Sequence, residues 1–208
     1  MTARIGILIS GRGSNMATLI NAAKADDFPG SIELVLSSHE EAGGLALALG
    51  AGVRAKAIPR KAYKDKKAFE EALSDELERA KIDFICLAGF MRVLSTDFVA
   101  QWEGKVLNIH PSLLPLFKGL NVHEQALAAG VAISGCTVHL VTPELDDGPI
   151  IGQAAVPVVP GDTPESLAAR VQKAEHMLYP LALRHCLEGA VGEHMPTHQY
   201  DDIFLSLH

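Results

Sequence analysis

Short apolar runs punctuate this chain, and over its first half they alternate with stretches whose apolar residues recur at helical spacing. Ile5, Ile7, Leu8 and Ile9 mark residues 4–9 as a buried strand. A glycine-rich polar turn at 10–15 then opens a helix from Met16 to about Ala25. The alternation continues with strands at 32–37, 53–58, 83–88 and 106–110 and with helices near 42–49, 68–80 and 96–102, the last capped by Thr96. Repeated strand–helix units of this kind predict a parallel sheet with helices on both faces, the Rossmann-like α/β class. After Pro115 the pattern changes. A loop at 116–121 and a short helix at 122–129 lead to strands at 135–141 and 150–158, whose separation is too short for a parallel crossover, so an antiparallel pair is expected. Asp162-Thr163-Pro164-Glu165 starts a helix running toward Leu187, which Pro180 should kink or break. The expected architecture is therefore a single domain over 1–190, mostly parallel with an antiparallel pair at its C-terminal end, followed by a tail at 191–208.

Composition narrows the classes. With 208 residues, 48% hydrophobic and 21% charged, the chain can bury a core without staples. A formal charge of −7 argues against nucleic acid as a partner, although a local anion pocket is compatible with it. Cys86, Cys136 and Cys186 are odd in number and far apart, which fits neither a disulfide framework nor a zinc knuckle and predicts a reducing, cytoplasmic setting. No apolar run reaches the roughly 18 residues of a membrane span.

Candidate chemistry concentrates in Val106-Leu107-Asn108-Ile109-His110-Pro111-Ser112-Leu113-Leu114-Pro115. Strand alternation turns Asn108 and His110 to one face and Leu107 and Ile109 to the other. A carboxamide can donate to a developing oxyanion and an imidazole can carry a proton near neutral pH; a plain hydrogen-bonded pair at a loop entry has the same spelling. Ser10-Gly11-Arg12-Gly13-Ser14-Asn15 ahead of a helix is either an anion site built from backbone N–H groups or a tight turn without a ligand. As a dinucleotide fingerprint it fails, with Met16 at the third glycine position and Leu36-Ser37-Ser38-His39 where an acid is expected. Arg60, Lys61, Lys64, Lys66 and Lys67 read as a solvated face. Gly89 lets backbone pass close to a ligand at a strand's carboxyl end, whereas Met91 and Leu94 by themselves read as core. The acidic stretch Glu144 to Pro149 reads as a turn, and His139 just before it as either structural or pocket-lining.

The octapeptide from Asn108 to Pro115 resembles the signature of the folate-dependent formyltransferases, most of all the branch that formylates glycinamide ribonucleotide in purine biosynthesis. Gly11-Arg12-Gly13-Ser14-Asn15, Ala88-Gly89-Phe90-Met91-Arg92-Val93-Leu94, Leu145-Asp146-Asp147-Gly148-Pro149 and Ala174-Glu175-His176-Met177-Leu178-Tyr179-Pro180 are similar to further family segments, so the resemblance runs from Ile5 to Tyr179. It implies a transferase moving a formyl group from 10-formyltetrahydrofolate, as cosubstrate, to a primary amine, with no metal. Asn108, His110 and Asp146 become the catalytic residues, Asp146 setting the state of the histidine. Gly13, Ser14, Asn15 and Glu175 are implied to hold the ribonucleotide; Lys66, Met91, Arg92, Val93, Leu94, Asn108 and His139 are implied to hold the folate. The N-terminal half is expected to bind the ribonucleotide phosphate and the C-terminal half the folate. Small-molecule substrates are the expected partners, without nucleic acid or membrane, in a monomer or homodimer. Two departures stand out: Val122 precedes His123 where the family usually has threonine, and Gln172 stands where some relatives present a lysine to the phosphate.

Three rival readings follow from the same residues. A formyltetrahydrofolate deformylase would use the same three polar residues with water as acceptor, but typically has His in place of Pro111 and an extra N-terminal regulatory domain, whereas this chain opens on its first strand. A methionyl-tRNA formyltransferase typically adds a basic C-terminal domain, which the residues after Leu187 are not expected to supply. A nucleotide-binding module without chemistry belongs to a different class and would show ligand binding without turnover.

Overall fold

A computed structural model describes residues 2–189, 198–200 and 203–208. The remaining positions of the expected tail, His194 among them, lie outside the described residues. The chain divides into two compact units, Met1–Asn108 and Ile109–His208, with the boundary inside one strand.

The first unit is built on strands β1 (Ala3–Ile9), β2 (Gly30–Ser37), β3 (Arg54–Ala57), β4 (Phe84–Leu87) and β5 (Val106–His110), whose last two residues belong to the second unit. Their order is β3-β2-β1-β4-β5, and the pairs run parallel. Ile5, Ile7, Leu8, Ile9, Val35, Leu36, Ile85 and Cys86 are fully buried, which accounts for the unbroken apolar runs in these strands. From β1 the chain steps outward through β2 and β3, then returns to the other side of β1 for β4. That reversal makes the β1/β4 edge a topological switch point, where open α/β sheets form crevices at the strands' carboxyl ends. Helices α1 (Ser14–Ala22), α2 (Gly43–Gly50), α3 (Lys66–Arg79) and α4 (Thr96–Gln101) fill the connections. The cap of α4 is Ser95 and not Thr96: the Ser95 hydroxyl accepts from the Phe98 amide at 3.2 Å.

In the second unit β6 (Ile133–Leu140) and β7 (Ile150–Pro157) form the expected antiparallel pair. Strands β9 (Ile203–Leu207) and β8 (His198–Tyr200) extend it in the order β6-β7-β9-β8, all antiparallel. Among the described residues two helices complete the unit, α5 (Val122–Ala128) and α6 (Pro164–Leu187). Thr163 caps α6 in a reciprocal box with Ser166, and Pro164 takes the first turn where its missing N–H costs nothing. Pro180 neither ends nor divides this 24-residue helix. Leu178, Tyr179, Ala182 and Leu183 around it are fully buried and α6 packs on β6 and β7, so tertiary packing outweighs the lost hydrogen bond. Among the described residues no helix is long and apolar enough to cross a membrane.

Candidate active site

Two turns leave the carboxyl ends of β1 and β4 in the first unit. Gly13 ends the first as the N-cap of α1, at φ 76, in the left-handed region that glycine adopts without steric cost. A Cβ there would lie 3.0 Å from Gly44 Cα and 3.0 Å from Met16 Cε, so the position also admits no side chain without movement. The Gly44 amide donates to the Gly11 carbonyl at 3.1 Å and pins the turn to the start of α2. Ser14 and the buried Asn15 are the first residues of α1, whose first turn carries no acid. Backbone N–H groups and a positive helix end thus stand ready for an anion.

The second turn is tied back to the first. Gly89, at φ 73, accepts from the Ser10 amide at 3.0 Å, and the Met91 amide donates to Ser10 Oγ at 2.9 Å. Met91 and Val93 are 66% and 64% exposed, which removes the core reading of Met91; Leu94 is buried. Arg92 is exposed, and its guanidinium lies 3.4 Å from His39 Nε2. Directly after the turn, the Ser95 amide and hydroxyl both donate to the buried carboxylate of Glu70, the amide at 2.8 Å. Lys66, the first residue of α3, pairs with that same carboxylate at 3.9 Å and lines a cavity of about 440 Å³ with Ser74, Ser95, Asp97, Phe98 and Gln101.

The titratable cluster belongs to the second unit. His110 ends β5 and is 5% exposed. Its Nδ1 faces Asp146 Oδ2 at 3.5 Å, and its Nε2 lies 2.9 Å from the Phe117 carbonyl, which can only accept, so Nε2 carries a proton. Asp146 is held at φ 49, a left-handed conformation that aspartate tolerates better than most residues. Its Oδ2 accepts from the Gly119 amide at 2.9 Å, and its Oδ1 lies 3.8 Å from His139 Nε2. The carboxylate therefore stands between two imidazoles, and only 8% of its side chain is exposed. Burial pushes the His139 pKa down, against the opposing pull of the Leu140 carbonyl and Asp146. His123, at the start of α5, is likewise pushed down by burial.

A hydrogen-bonded core supports the segment after His110. Thr137 Oγ1 donates to the Ser112 carbonyl at 2.7 Å and accepts from the Leu114 amide at 3.0 Å and from Gln153 Nε2 at 2.9 Å. Gln153 also donates to the Leu114 carbonyl at 2.9 Å. Thr137 and Gln153 escaped the sequence reading because strand alternation gives a residue's face and not its partner. Phe117 and Gly119 escaped it because they act through backbone atoms.

The remaining candidates lie on other elements of the two units. Asn108 is half-buried on β5, two residues before His110. Glu175 is buried on α6, and its charge adds to the burial that raises the Cys136 thiol on β6. Residues assigned to each ligand fall in both units: Gly13, Ser14 and Asn15 in the first and Glu175 in the second for the ribonucleotide, and Lys66 with Met91 to Leu94 in the first and His139 in the second for the folate. Val122, in place of the family's threonine, is buried, and Asn121, the N-cap of α5, makes no side-chain capping bond.

Residues 3–183 match the formyl transferase family model. A crystal structure of phosphoribosylglycinamide formyltransferase from Brucella melitensis superposes with a TM-score of 0.87 at 56% identity, covering 90% of this chain and 96% of that one. The phosphoribosylglycinamide formyltransferase of Escherichia coli (strain K12) is 43% identical over 91% of this chain and 90% of its own length. The trifunctional purine biosynthetic protein adenosine-3 of Bos taurus is 50% identical over 91% of this chain, which spans 19% of that protein's length. The chain belongs to the formyl transferase family.

Proposed function

We propose that the protein transfers the formyl group of 10-formyltetrahydrofolate to the primary amine of glycinamide ribonucleotide, a step of purine biosynthesis carried out in the cytoplasm. The observation that carries this reading is the buried His110–Asp146 pair at the end of the strand bearing Asn108. A primary amine of pKa roughly 8 is substantially neutral near physiological pH and attacks the formyl carbon without a strong base. The protein's task is then to stabilise the tetrahedral oxyanion and to move protons. Asn108 and His110 are the oxyanion donors. The Nε2 proton that His110 now shares with Phe117 is the one available to the leaving folate nitrogen. Asp146, fixed by the Gly119 amide and facing His110 Nδ1, can accept the amine's proton through water and pass it to Nδ1, so that the ring stays neutral when it gives up the Nε2 proton.

Binding is divided among the other candidates. Gly13, Ser14 and Asn15 hold the phosphate on the α1 N-terminus, and Glu175 holds the ribonucleotide. Met91, Arg92, Val93 and Leu94 receive the pterin largely through backbone groups, with Lys66 and His139 as further folate contacts. The test is to incubate the protein with 10-formyltetrahydrofolate in the presence and absence of glycinamide ribonucleotide. Folate product that requires the amine is the expected result. Product formed equally well without it would replace the transferase with a hydrolase, and binding without any product would leave a non-catalytic module.

A further inference from the structure

The turn after β4 is held by side chains that play no part in the chemistry above. Four hydrogen bonds connect the residues after β1 and β2 to the turn after β4: Arg92 to His39 Nε2 at 3.4 Å, His39 Nδ1 to Ser38 Oγ at 3.0 Å, Ser38 Oγ to Ser10 Oγ at 2.7 Å, and the Met91 amide to Ser10 Oγ at 2.9 Å. Donor inventory fixes the direction of each link. A guanidinium has no acceptor, so His39 Nε2 must accept and carry no proton. The proton of the neutral ring then sits on Nδ1 and is donated to Ser38 Oγ. Ser38 in turn gives its hydroxyl proton to Ser10 Oγ, which also accepts from the Met91 amide. The chain of bonds leaves the turn at the Arg92 side chain and re-enters it at the neighbouring backbone N–H, closing a ring around the Met91–Arg92 peptide.

Its foundation is buried. Ser38 is 2% exposed, and its amide donates to the Ile9 carbonyl at 3.0 Å. Ser37, fully buried, accepts from the His39 amide at 3.1 Å and donates to the His39 carbonyl at 2.8 Å, so the backbone that carries the imidazole is fixed on both sides. Arg92 itself is exposed and would otherwise sample many rotamers.

We propose that His39 is a positioning residue for the formyl-donor turn, holding the Arg92 guanidinium and, through Ser38 and Ser10, the Met91 amide in the geometry that receives the folate. The inference rests on the reading of Met91 to Leu94 as the folate-binding turn. It adds a residue that sits in neither ligand's assigned set and touches no reacting atom. His39→Ala removes both the acceptor for Arg92 and the donor to Ser38. His39→Gln places an amide oxygen near the position of Nε2 and restores the first of these.

Steady-state kinetics with each substrate varied in turn test the proposal on four proteins: wild type, His39→Ala, His39→Gln and Arg92→Ala. Loss of one or two net hydrogen bonds should raise KM for 10-formyltetrahydrofolate by about three- to tenfold in His39→Ala, with kcat and KM for glycinamide ribonucleotide changed far less. His39→Gln should recover most of that loss. Nitrogen-15 NMR of the wild-type imidazole should show the Nδ1–H tautomer, and that signature should weaken in Arg92→Ala. If Arg92→Ala raises the donor KM while both His39 variants leave it unchanged, His39 does not position the turn and the inference falls alone. Unchanged donor KM in all three variants would overturn the inference and leave the backbone contacts of the turn as the folate site, whereas a raised KM for glycinamide ribonucleotide in place of the donor would overturn the folate assignment of the turn itself. An Nε2–H tautomer in the wild type would overturn the bonding direction even if His39→Ala failed to fold.

Discussion

The two units approach small ligands by different physical means. In the first, the candidate binding turns are made of backbone: Gly13 and Gly89 at positive φ, carbonyls and amides at strand ends, and hydroxyls that tie one turn to the other. In the second, the cluster consists of buried ionisable side chains, Asp146 between His110 and His139. Backbone groups are fixed by the fold and need no protonation state, which suits recognition of a phosphate or a flat heterocycle. Imidazole and carboxylate change charge during a reaction, which suits proton transfer. Substitutions in the first unit should therefore act on binding, and those in the second on turnover and on pH dependence.

Asn108 and His110 give the largest expected effect and test the boundary between these behaviours. If Asn108 donates to an oxyanion that exists only along the reaction path, Asn108→Ala should lower kcat by about 10²–10³, with substrate KM values altered much less. His110→Asn should fall in the same range or below it, since general acid–base groups contribute about 10²–10⁴. Single-turnover rates with saturating substrates make the measurement. A variant of either kind with near-normal turnover and a raised KM would move that residue to the binding side of the comparison.

Thr137 sharpens the second unit's part. Thr137→Val keeps the shape but leaves the Leu114 amide without its acceptor and removes one partner of Gln153. An unsatisfied buried donor costs about 1–3 kcal/mol, so a clear drop in thermal stability is expected by calorimetry, accompanied by lower kcat if the segment after His110 shifts. Unchanged stability would mean that water or a rearranged Gln153 takes over the lost bonds.

Gly13 makes the opposite test in the first unit. Gly13→Ala forces a Cβ against the Gly44 backbone and holds alanine at φ 76, a conformation costing about 1–2 kcal/mol for a residue with a side chain. Ribonucleotide affinity should fall by about tenfold while folate affinity stays near wild type, measured by calorimetric titration with each ligand. Equal losses for both ligands would show that the two turns act as one unit and that the phosphate assignment is too local.

Much of this architecture was legible in the sequence because the relevant signals are local. The apolar runs of β1, β2 and β4 can only be buried strands, and Thr163-Pro164 can only begin a helix. The short link from β6 to β7 forces an antiparallel return. What escaped was set by partners distant in sequence. Ser95 caps α4 while bonded to Glu70, 25 residues earlier, and Thr96, the expected cap, is the first residue of the helix. Strand β9 gains its place by pairing with β7, and nothing in Ile203–Leu207 alone names that partner. Pro180 worked in the other direction: a local rule predicted a kink or a break, and packing along α6 excluded the break. At the candidate site the sequence supplied residue types and spacing for His110 and Asp146. It could not show that a second histidine faces the same carboxylate, or that two backbone groups of 116–121 hold the pair.

The smallest expected effect is the pH dependence of stability, and it falls on the second unit. His123, His139 and His176 all have pKa values lowered from 6.5, in each case chiefly by burial. A histidine that resists protonation when folded but accepts it when unfolded means that the unfolded chain binds more protons in that window. Stability then rises with pH there. The contribution is fully present above 6.5 and is lost as pH falls from that value through the lower folded values. Carboxylates act in the same direction but further into acid: Glu76 is held below 4.5 by its bond to Lys56, and Asp162 below 3.8 by Arg170. Melting temperature followed on the acid side of 6.5, before those carboxylates titrate, isolates the histidines. A decline is expected there in the wild type, and a shallower one in His123→Gln, whose side chain takes no proton. A flat profile in the wild type would show that these rings become charged in the folded chain as readily as in the unfolded one, which would mean that water reaches them and that the second unit is as solvated as the turns of the first.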